Sequence, residues 1–475
     1  MKLEKLLQDT YGFTSFRPGQ REVIEQILLG NDVIALLPTG MGKSMCYQLP
    51  AHRLPGSILI VSPLLSLMQD QVAQLKKMGE KSVVAINSFV KWEEKEQIWN
   101  ALASYRFIFI SPEMLVQPFV KKQLQQIHIS LLVADEAHCI SQWGFDFRPD
   151  YLRIAEILPI LNHPQVLALT ATATEKVTEE IKTYLKIEEP FIYNHPMDRK
   201  NIVYDIKKFD DPRQKKEWLL DFVSQWQGPG IIYAGTRKKS QELAAALNDL
   251  GIAASFYHGG MEHQDRIFVQ QQFQNGELQW VCSTNAFGMG VHISNIRHVI
   301  HFHMPTSVEG YVQEVGRAGR DGFPALATLL YSQGDENMME SLVMDELPTP
   351  HEIREIAAAG ANAKGLVENG IVRETAYRVV SYWLSRLTPE ATINQIYAIQ
   401  QEKVKQVEKI KFLVTKPTCI RQYIIGCFGQ KLQHKPQNCC VHEGIDYSVF
   451  EKPKVKPSLK TPENWKDRIR LLLPD

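Results

Sequence analysis

Long hydrophobic runs are missing from this 475-residue chain. No stretch approaches the roughly 20 consecutive apolar residues that a membrane-spanning helix needs. The opening "MKLEKLLQDTYGF" is amphipathic and carries acids, so it does not read as a leader, and the expected location is cytoplasmic with no membrane partner. A surplus of charge is missing too, since 53 Lys and Arg balance 53 Asp and Glu. A polyanion would therefore have to be met by a local groove, not by a general field. Cysteine is scarce, with seven residues, an odd number that argues against a disulfide framework. Repeats and low-complexity tracts are absent, and 44% hydrophobic with 22% charged residues is an ordinary globular composition. The length exceeds what one core usually serves, so two or three domains are expected.

What the chain does contain is a series of short runs that are apolar at every position: "DVIALLPTG", "SILIVSP", "RFIFISP", "SLLVADE" and "QVLALTAT". Runs without polar alternation suit strands covered on both faces, as in a parallel sheet, and amphipathic stretches such as "SLMQDQVAQLKKM" supply the covering helices. A second series ("GIIYAGT", "ASFYHGG", "QWVCST", "HVIHFHMP", "ATLLYS") follows a linker around 194–201. The expectation is two α/β lobes in tandem. After about residue 335 the pattern turns helical ("PHEIREIAAAG", "ETAYRVVSYWLSRL", "NQIYAIQQEKVKQVEKIKFLV") and ends in a cysteine cluster.

Three motifs carry chemistry. In "LLPTGMGKS" (36–44) a strand runs into a turn and then a helix; Gly40 and Gly42 permit the tight turn, so the backbone from Thr39 through Met41 to Ser44 can surround phosphate oxygens. Lys43 would reach the β and γ phosphates and the Ser44 hydroxyl would bind magnesium, although Leu37 stands where the general pattern has its first glycine. Asp135 and Glu136 follow the "SLLVA" strand, where one carboxylate holds magnesium and the next activates water. In "YVQEVGRAGRDG" (311–322), Arg317 and Arg320 are three apart and are expected to share a helix face, from which they would neutralise a transferring γ-phosphoryl group across the cleft.

A fourth stretch, "QWGFDFRPDY" (142–151), crowds aromatics behind the acids. Bases stack on exposed rings at about 1–3 kcal/mol each without regard to sequence, and Arg148 can meet a phosphate.

Together "FRPGQ" (16–20), "TGMGKS", "SPLLSLMQDQV" (62–72), "DEAH", "QWGFDFRPDY", "LTATAT" (169–174), "HGGM" (258–261), "AFGMG" (286–290) and "QEVGRAGRDG" (313–322) resemble the RecQ family of DNA helicases, a branch of superfamily 2. The short C-terminus resembles the RecS subgroup of Bacillus-type bacteria. The resemblance implies ATP-driven 3′ to 5′ unwinding in DNA repair or recombination, on single-stranded and 3′-tailed duplex DNA, with single-strand-binding and recombination proteins as partners. It implies RecA-like lobes at 1–198 and 199–335, a helical zinc-binding-like subdomain at 336–445 and a tail at 446–475 too short for a winged-helix or HRDC domain. It further implies that Tyr11 stacks on adenine while Arg17 and Gln20 contact its edge, that Gln313 joins the ATP and arginine network, and that His138 and Thr170 to Thr172 link hydrolysis to lobe closure. Ser62, Gln142, Trp143, Phe145, Phe147 and Arg148 would contact single-stranded DNA.

Two departures from the family pattern stand out. His292 occupies the position where the family has an acid after "AFGMG", and an imidazole is no fixed carboxylate. The family's four-cysteine zinc site is incomplete: Cys419 and a Cys439–Cys440 pair remain, with Gln437 and Glu443 where ligands would fall. A zinc set could be drawn from Cys419, Cys439 or Cys440, and His442, with His434 or Cys427 as further candidates. The rival readings are an RNA helicase and an ATP-switched DNA clamp or recruitment factor that unwinds little.

Overall fold

The computed structural model describes residues 3–63, 65–87, 92–141, 149–171, 174–226, 228–287, 293–416 and 418–450. The apolar runs become strands largely buried along their length, and further strands join them, among them Phe191–Asn194, whose residues alternate half-buried and exposed. In the first lobe these are β1 (Val33–Leu36), β2 (Ser57–Val61), β3 (Val83–Ile86), β4 (Phe107–Ile110), β5 (Ile129–Ala134), β6 (Gln165–Thr170) and β7 (Phe191–Asn194). They form one seven-stranded sheet in the order β3-β4-β2-β5-β6-β1-β7, with every described pairing parallel.

The period of two in a strand explains why each run is apolar throughout. Ile34, Leu36, Leu59, Val61, Ile108, Ile110 and Leu132 face one helical layer, while Val33, Ala35, Ile58, Ile60, Phe107, Phe109 and Leu131 face the other. Because the strands are parallel, their C-terminal ends lie along one edge, the edge at which open α/β sheets bind ligands. The glycine-lysine turn, Ser62, Ser111, Asp135 and Ala171 all follow strands on that edge.

The second lobe repeats the plan with β8 (Ile202–Phe209), β9 (Gly230–Tyr233), β10 (Ala254–Tyr257), β11 (Trp280–Ser283), β12 (His298–His301) and β13 (Ala325–Ser332), in the order β10-β11-β9-β12-β13-β8 and again parallel. The segments that form β3, β7 and β8 lie outside the two series of runs read from the sequence.

The remaining part is helical. Helices Pro350–Ala359, Glu374–Leu384 and the first half of the 27-residue helix Pro389–Thr415 close a small core of their own around Ile353, Ile356, Val379, Val380 and Ile396. This unit touches both lobes. Tyr382 packs into the first lobe's core and Arg386 donates to Glu156 at 2.8 Å, while Val407, Ile410, Leu413 and Val414 enter the second lobe's core. At 1.5 Å per residue the long helix spans about 40 Å, enough to reach across the molecule. No helix among the described residues is long and apolar enough to cross a membrane.

Candidate active site

The glycine-lysine turn leaves β1 through Leu37 and Pro38, and the following helix is a single turn, Met45–Gln48, running directly into Pro50. Gly40 and Gly42 have φ of 87° and 72°, a region costly for any residue with a Cβ. Gly42 is also crowded, since a Cβ there would lie 2.7 Å from Gln20 Nε2. Gln20 donates at 3.0 Å to the carbonyls of Met41 and Gly42, and the Arg17 guanidinium donates to the carbonyl of Gly40. Arg17 and Gln20 thus brace the turn. Tyr11 stands edge-on to His52, ring centroids 5.9 Å apart, with its hydroxyl 3.2 Å from His52 Nε2.

Asp135 and Glu136 follow β5 and are buried. Glu136 has φ of 48°, an uncommon left-handed conformation for a glutamate. Its backbone N–H donates to Asp135 Oδ1 at 3.0 Å, and the buried Tyr151 hydroxyl donates to the carbonyl of Asp135. Lys43 Nζ sits 3.1 Å from Glu136 Oε1. Burial alone would raise the Glu136 carboxyl, but Lys43, His138 and Arg317 outweigh it and hold Glu136 below the usual carboxylate range. Burial and the adjacent Glu136 charge push Asp135 the other way, upward. His138 is completely buried, with Nδ1 3.0 Å from Thr170 Oγ1 and 3.4 Å from Glu136 Oε2; burial depresses it to about 4, so it is a neutral imidazole at pH 7.

The two arginines do not share a helix face. The helix that leads to them spans Val308–Val315, is capped by Ser307 and stops at Gly316, so Arg317 and Arg320 stand in the turn beyond it. After Val315 the hydrogen bonds tighten, Arg317 and Ala318 N–H donating to the carbonyls of Glu314 and Val315, and Gly319, with φ of 54°, then turns the chain out of helical geometry between the two arginines. The turn reaches the first lobe: Thr39 Oγ1 donates to the Gly316 carbonyl at 3.0 Å, and a Cβ at Gly40 would lie 3.3 Å from Arg320 Cγ. Burial, then Arg317 and Arg199, depress the Arg320 guanidinium to about 10, and Arg317 is near enough to Glu136 to lower it. Gln313 lines a small hollow with Pro38, Thr39, Ala171 and Arg199.

Replacing Gly40 with alanine is therefore expected to cost about 1–2 kcal/mol in backbone strain, measured by denaturant titration, and to lower ATP turnover by moving Arg320.

Ser62 follows β2 with a buried hydroxyl that has no hydrogen-bond partner among the described residues. Gln142, Trp143, Phe145, Phe147, Arg148, Thr172 and His292 lie outside the described residues. The linker residue Arg199, which the sequence does not single out, donates to carbonyls of the arginine turn; a basic residue between two lobes carries no signal of that.

The cysteine region brings together Cys419, Cys439 and Cys440, with Cys419 Sγ 3.7 Å from Cys439 Sγ and 3.9 Å from Cys440 Sγ. Zinc–sulfur bonds of about 2.3 Å at tetrahedral angles set sulfurs about 3.8 Å apart, so the three thiols fit one zinc. His442 does not belong with them: it is exposed, in the short turn Val441–Glu443, as is His434 further back. Cys427 lies apart from the trio, near the Tyr423 hydroxyl and Lys409.

Comparison with known proteins follows the same outline. The DEAD/DEAH box helicase model matches residues 17–181 and the helicase conserved C-terminal domain model matches 214–322. The chain is 39% identical to a probable ATP-dependent DNA helicase RecS of Bacillus subtilis (strain 168), over 98% of this chain and 97% of that protein. It is also 39% identical to the ATP-dependent DNA helicase RecQ of Pasteurella multocida, over 76% of this chain but 56% of that protein, so it spans about half the length of that longer relative. Among solved structures, the DUF1998 helicase MrfA bound to DNA has a TM-score of 0.59 at 17% identity, covering 72% of this chain and 52% of that one. Dbp5 of S. cerevisiae bound to RNA and ADP BeF3 has a TM-score of 0.59 at 19% identity, covering 72% and 90%. At such identities these two likenesses speak to the fold alone.

Proposed function

The chain belongs to the RecQ family of superfamily 2 ATP-dependent DNA helicases, and on that premise we propose that it moves 3′ to 5′ along single-stranded DNA by closing its two lobes around magnesium-ATP. The observation that carries this reading is the approach of the arginine turn to the glycine-lysine turn, where residues 277 positions apart share a hydrogen bond.

Lys43 is paired with Glu136. ATP binding transfers Lys43 to the β and γ phosphates, which frees the Glu136 carboxylate to accept the proton of an attacking water. Ser44 and Asp135 would hold magnesium, which would supply positive charge to keep Asp135 ionised and to neutralise phosphate oxygens. Arg317 and Arg320 meet the charge that develops on the γ-phosphoryl group, each able to bond it bidentately. His138, neutral and bonded to Thr170, relays the position of Glu136 to the end of β6. Tyr11, Arg17 and Gln20 hold the adenine, and Gln313 belongs to the arginine side of the cleft.

Ser62 and the 142–148 stretch, with Trp143, Phe145 and Phe147 as stacking platforms and Gln142 and Arg148 as polar contacts, hold the strand. Cys419, Cys439 and Cys440 would hold a zinc ion, which would supply a structural link within this subdomain. Repair or recombination is the process, with 3′-tailed duplexes as substrates and single-strand-binding and recombination proteins as partners.

The test is strand displacement with ATP on 3′-tailed and 5′-tailed duplexes. Wild type is expected to displace only from the 3′ tail, and Lys43→Ala to lose ATP turnover by at least about 100-fold together with displacement. Turnover by the wild type without displacement from either tail would sink the reading and leave a DNA-stimulated switch.

A further inference from the structure

The turn that carries Arg317 and Arg320 is held from behind by the connection between the lobes. The first lobe ends with β7 at Asn194 and the second begins with β8 at Ile202. Between them, the Arg199 guanidinium donates to the carbonyls of Ala318 at 3.0 Å and Gly319 at 2.8 Å, with the Gly316 carbonyl at 3.4 Å. Asn201 Nδ2 adds bonds to Gly319 at 2.8 Å and Phe323 at 2.9 Å.

Carbonyls at a helix C-terminus have no partner within the helix, and a guanidinium fork suits several of them at once. The carbonyls Arg199 takes flank Arg317 and immediately precede Arg320. Their geometry sets where both side chains leave the backbone.

Arg199 is itself held. Arg421, 1% exposed, stands in the first turn of the helix Ile420–Cys427, two residues after Cys419. Its guanidinium donates to the Arg199 carbonyl at 3.0 Å, to the Ile202 carbonyl and to the Asp198 carboxylate, and lies over the Tyr204 ring at 5.2 Å. The Cys439 thiol lies near this guanidinium, and the Tyr204 backbone N–H donates to the Cys439 carbonyl at 3.2 Å. A continuous series of contacts thus runs from the thiol cluster through Arg421 to the linker, through Arg199 to the arginine turn, and from there to the glycine-lysine turn.

We infer that Arg199 is a positioning residue for ATP hydrolysis, holding the Gly316–Gly319 carbonyls so that Arg317 and Arg320 reach the γ-phosphate, and that Arg421 fixes Arg199 from the cysteine-bearing subdomain. This rests on the arginine roles proposed above. Arg199 acts through the turn, not on the nucleotide itself. It lies in the segment that must accommodate any movement of one lobe against the other, so lobe closure and arginine placement are joined at this residue.

The experiment is a double-mutant cycle of Arg199→Ala and Arg317→Ala in the full chain, read as steady-state ATP turnover with saturating oligothymidylate. Melting temperature and equilibrium binding of ADP with and without aluminium fluoride are measured alongside. A misplaced group costs about 10²-fold, so Arg199→Ala is expected to lower kcat by about that much, leave the KM for ATP within about twofold, and lose the preference for ADP–aluminium fluoride over ADP. The losses are expected to be clearly less than multiplicative in the double variant, because part of what Arg199 does acts through the Arg317 already removed, the rest through Arg320. Millimolar guanidinium is expected to restore part of the rate to Arg199→Ala.

Independent, multiplicative losses in the cycle, or a kcat within about twofold of wild type for Arg199→Ala, overturn the inference. Arg199→Lys, which keeps the charge but not the fork, takes the same cycle if the alanine variant is not recovered folded. If Arg317→Ala itself retains wild-type kcat, it is the arginine reading of the active site that fails, an outcome separate from loss of the linkage alone.

Discussion

Arg317→Ala lowers kcat for ATP hydrolysis by about 10³-fold or more, with little change in the affinity for ATP. The expectation follows from where the residue stands. Arg317 is buried on the second lobe yet near enough to Glu136 of the first to depress its carboxyl, and its own turn contacts Thr39 and Gly40. On the proposed reading, an arginine so placed would face the phosphate oxygens late in the reaction, when negative charge spreads over the transferring group, and would contribute little to ground-state binding, left to Lys43 and the turn's backbone. Single-turnover hydrolysis alongside equilibrium nucleotide binding checks it. Loss of ATP affinity with kcat unchanged would mean that Arg317 binds substrate and transition state alike.

Glu136→Gln is expected to lower kcat by about 10²–10⁴-fold, the range for removing a positioned general base, while ATP binds at least as tightly as to wild type. The second half of this expectation comes from the pairing of Lys43. Lys43 and Glu136 form an ion pair in which both side chains are largely buried, and ATP must displace Glu136 from Lys43. Glutamine keeps the shape and removes the charge, so Lys43 is released to the phosphates without breaking an ion pair. Calorimetric titration with a non-hydrolysable ATP analogue measures the binding, and a rapid-quench assay the chemistry. Weaker binding in the variant would show that the carboxylate supports the nucleotide instead of competing for Lys43.

Much of the site is legible in the sequence because its parts are local. The turn with Gly40, Gly42, Lys43 and Ser44 announces itself through residues within one short stretch, and Asp135 with Glu136 through their place at the end of an apolar run. The arginine pair is legible in identity but not in setting: a spacing of three fits a helix face, but the helix ends at Val315 and Gly319 turns left-handed between the arginines, which puts both in a turn. The cysteine cluster is legible in part. Cys419, Cys439 and Cys440 converge, whereas His442, close to them in sequence, stands exposed in a separate turn.

By itself the sequence determined ten of the thirteen described strands, all but β3, β7 and β8, together with the two-lobe plan and the glycine-lysine, acid and arginine motifs. These depend on periodicity and on turn chemistry, which act over a few residues at a time. Only the tertiary structure decided that Thr39 bonds Gly316, that Lys43 rests on Glu136, and that Arg199 and Arg421 carry a continuous support from the thiols to the arginine turn. Such contacts join residues scores to hundreds of positions apart; what creates them is the packing of separate elements against one another, and no local pattern in the chain encodes which distant partner a polar side chain will meet.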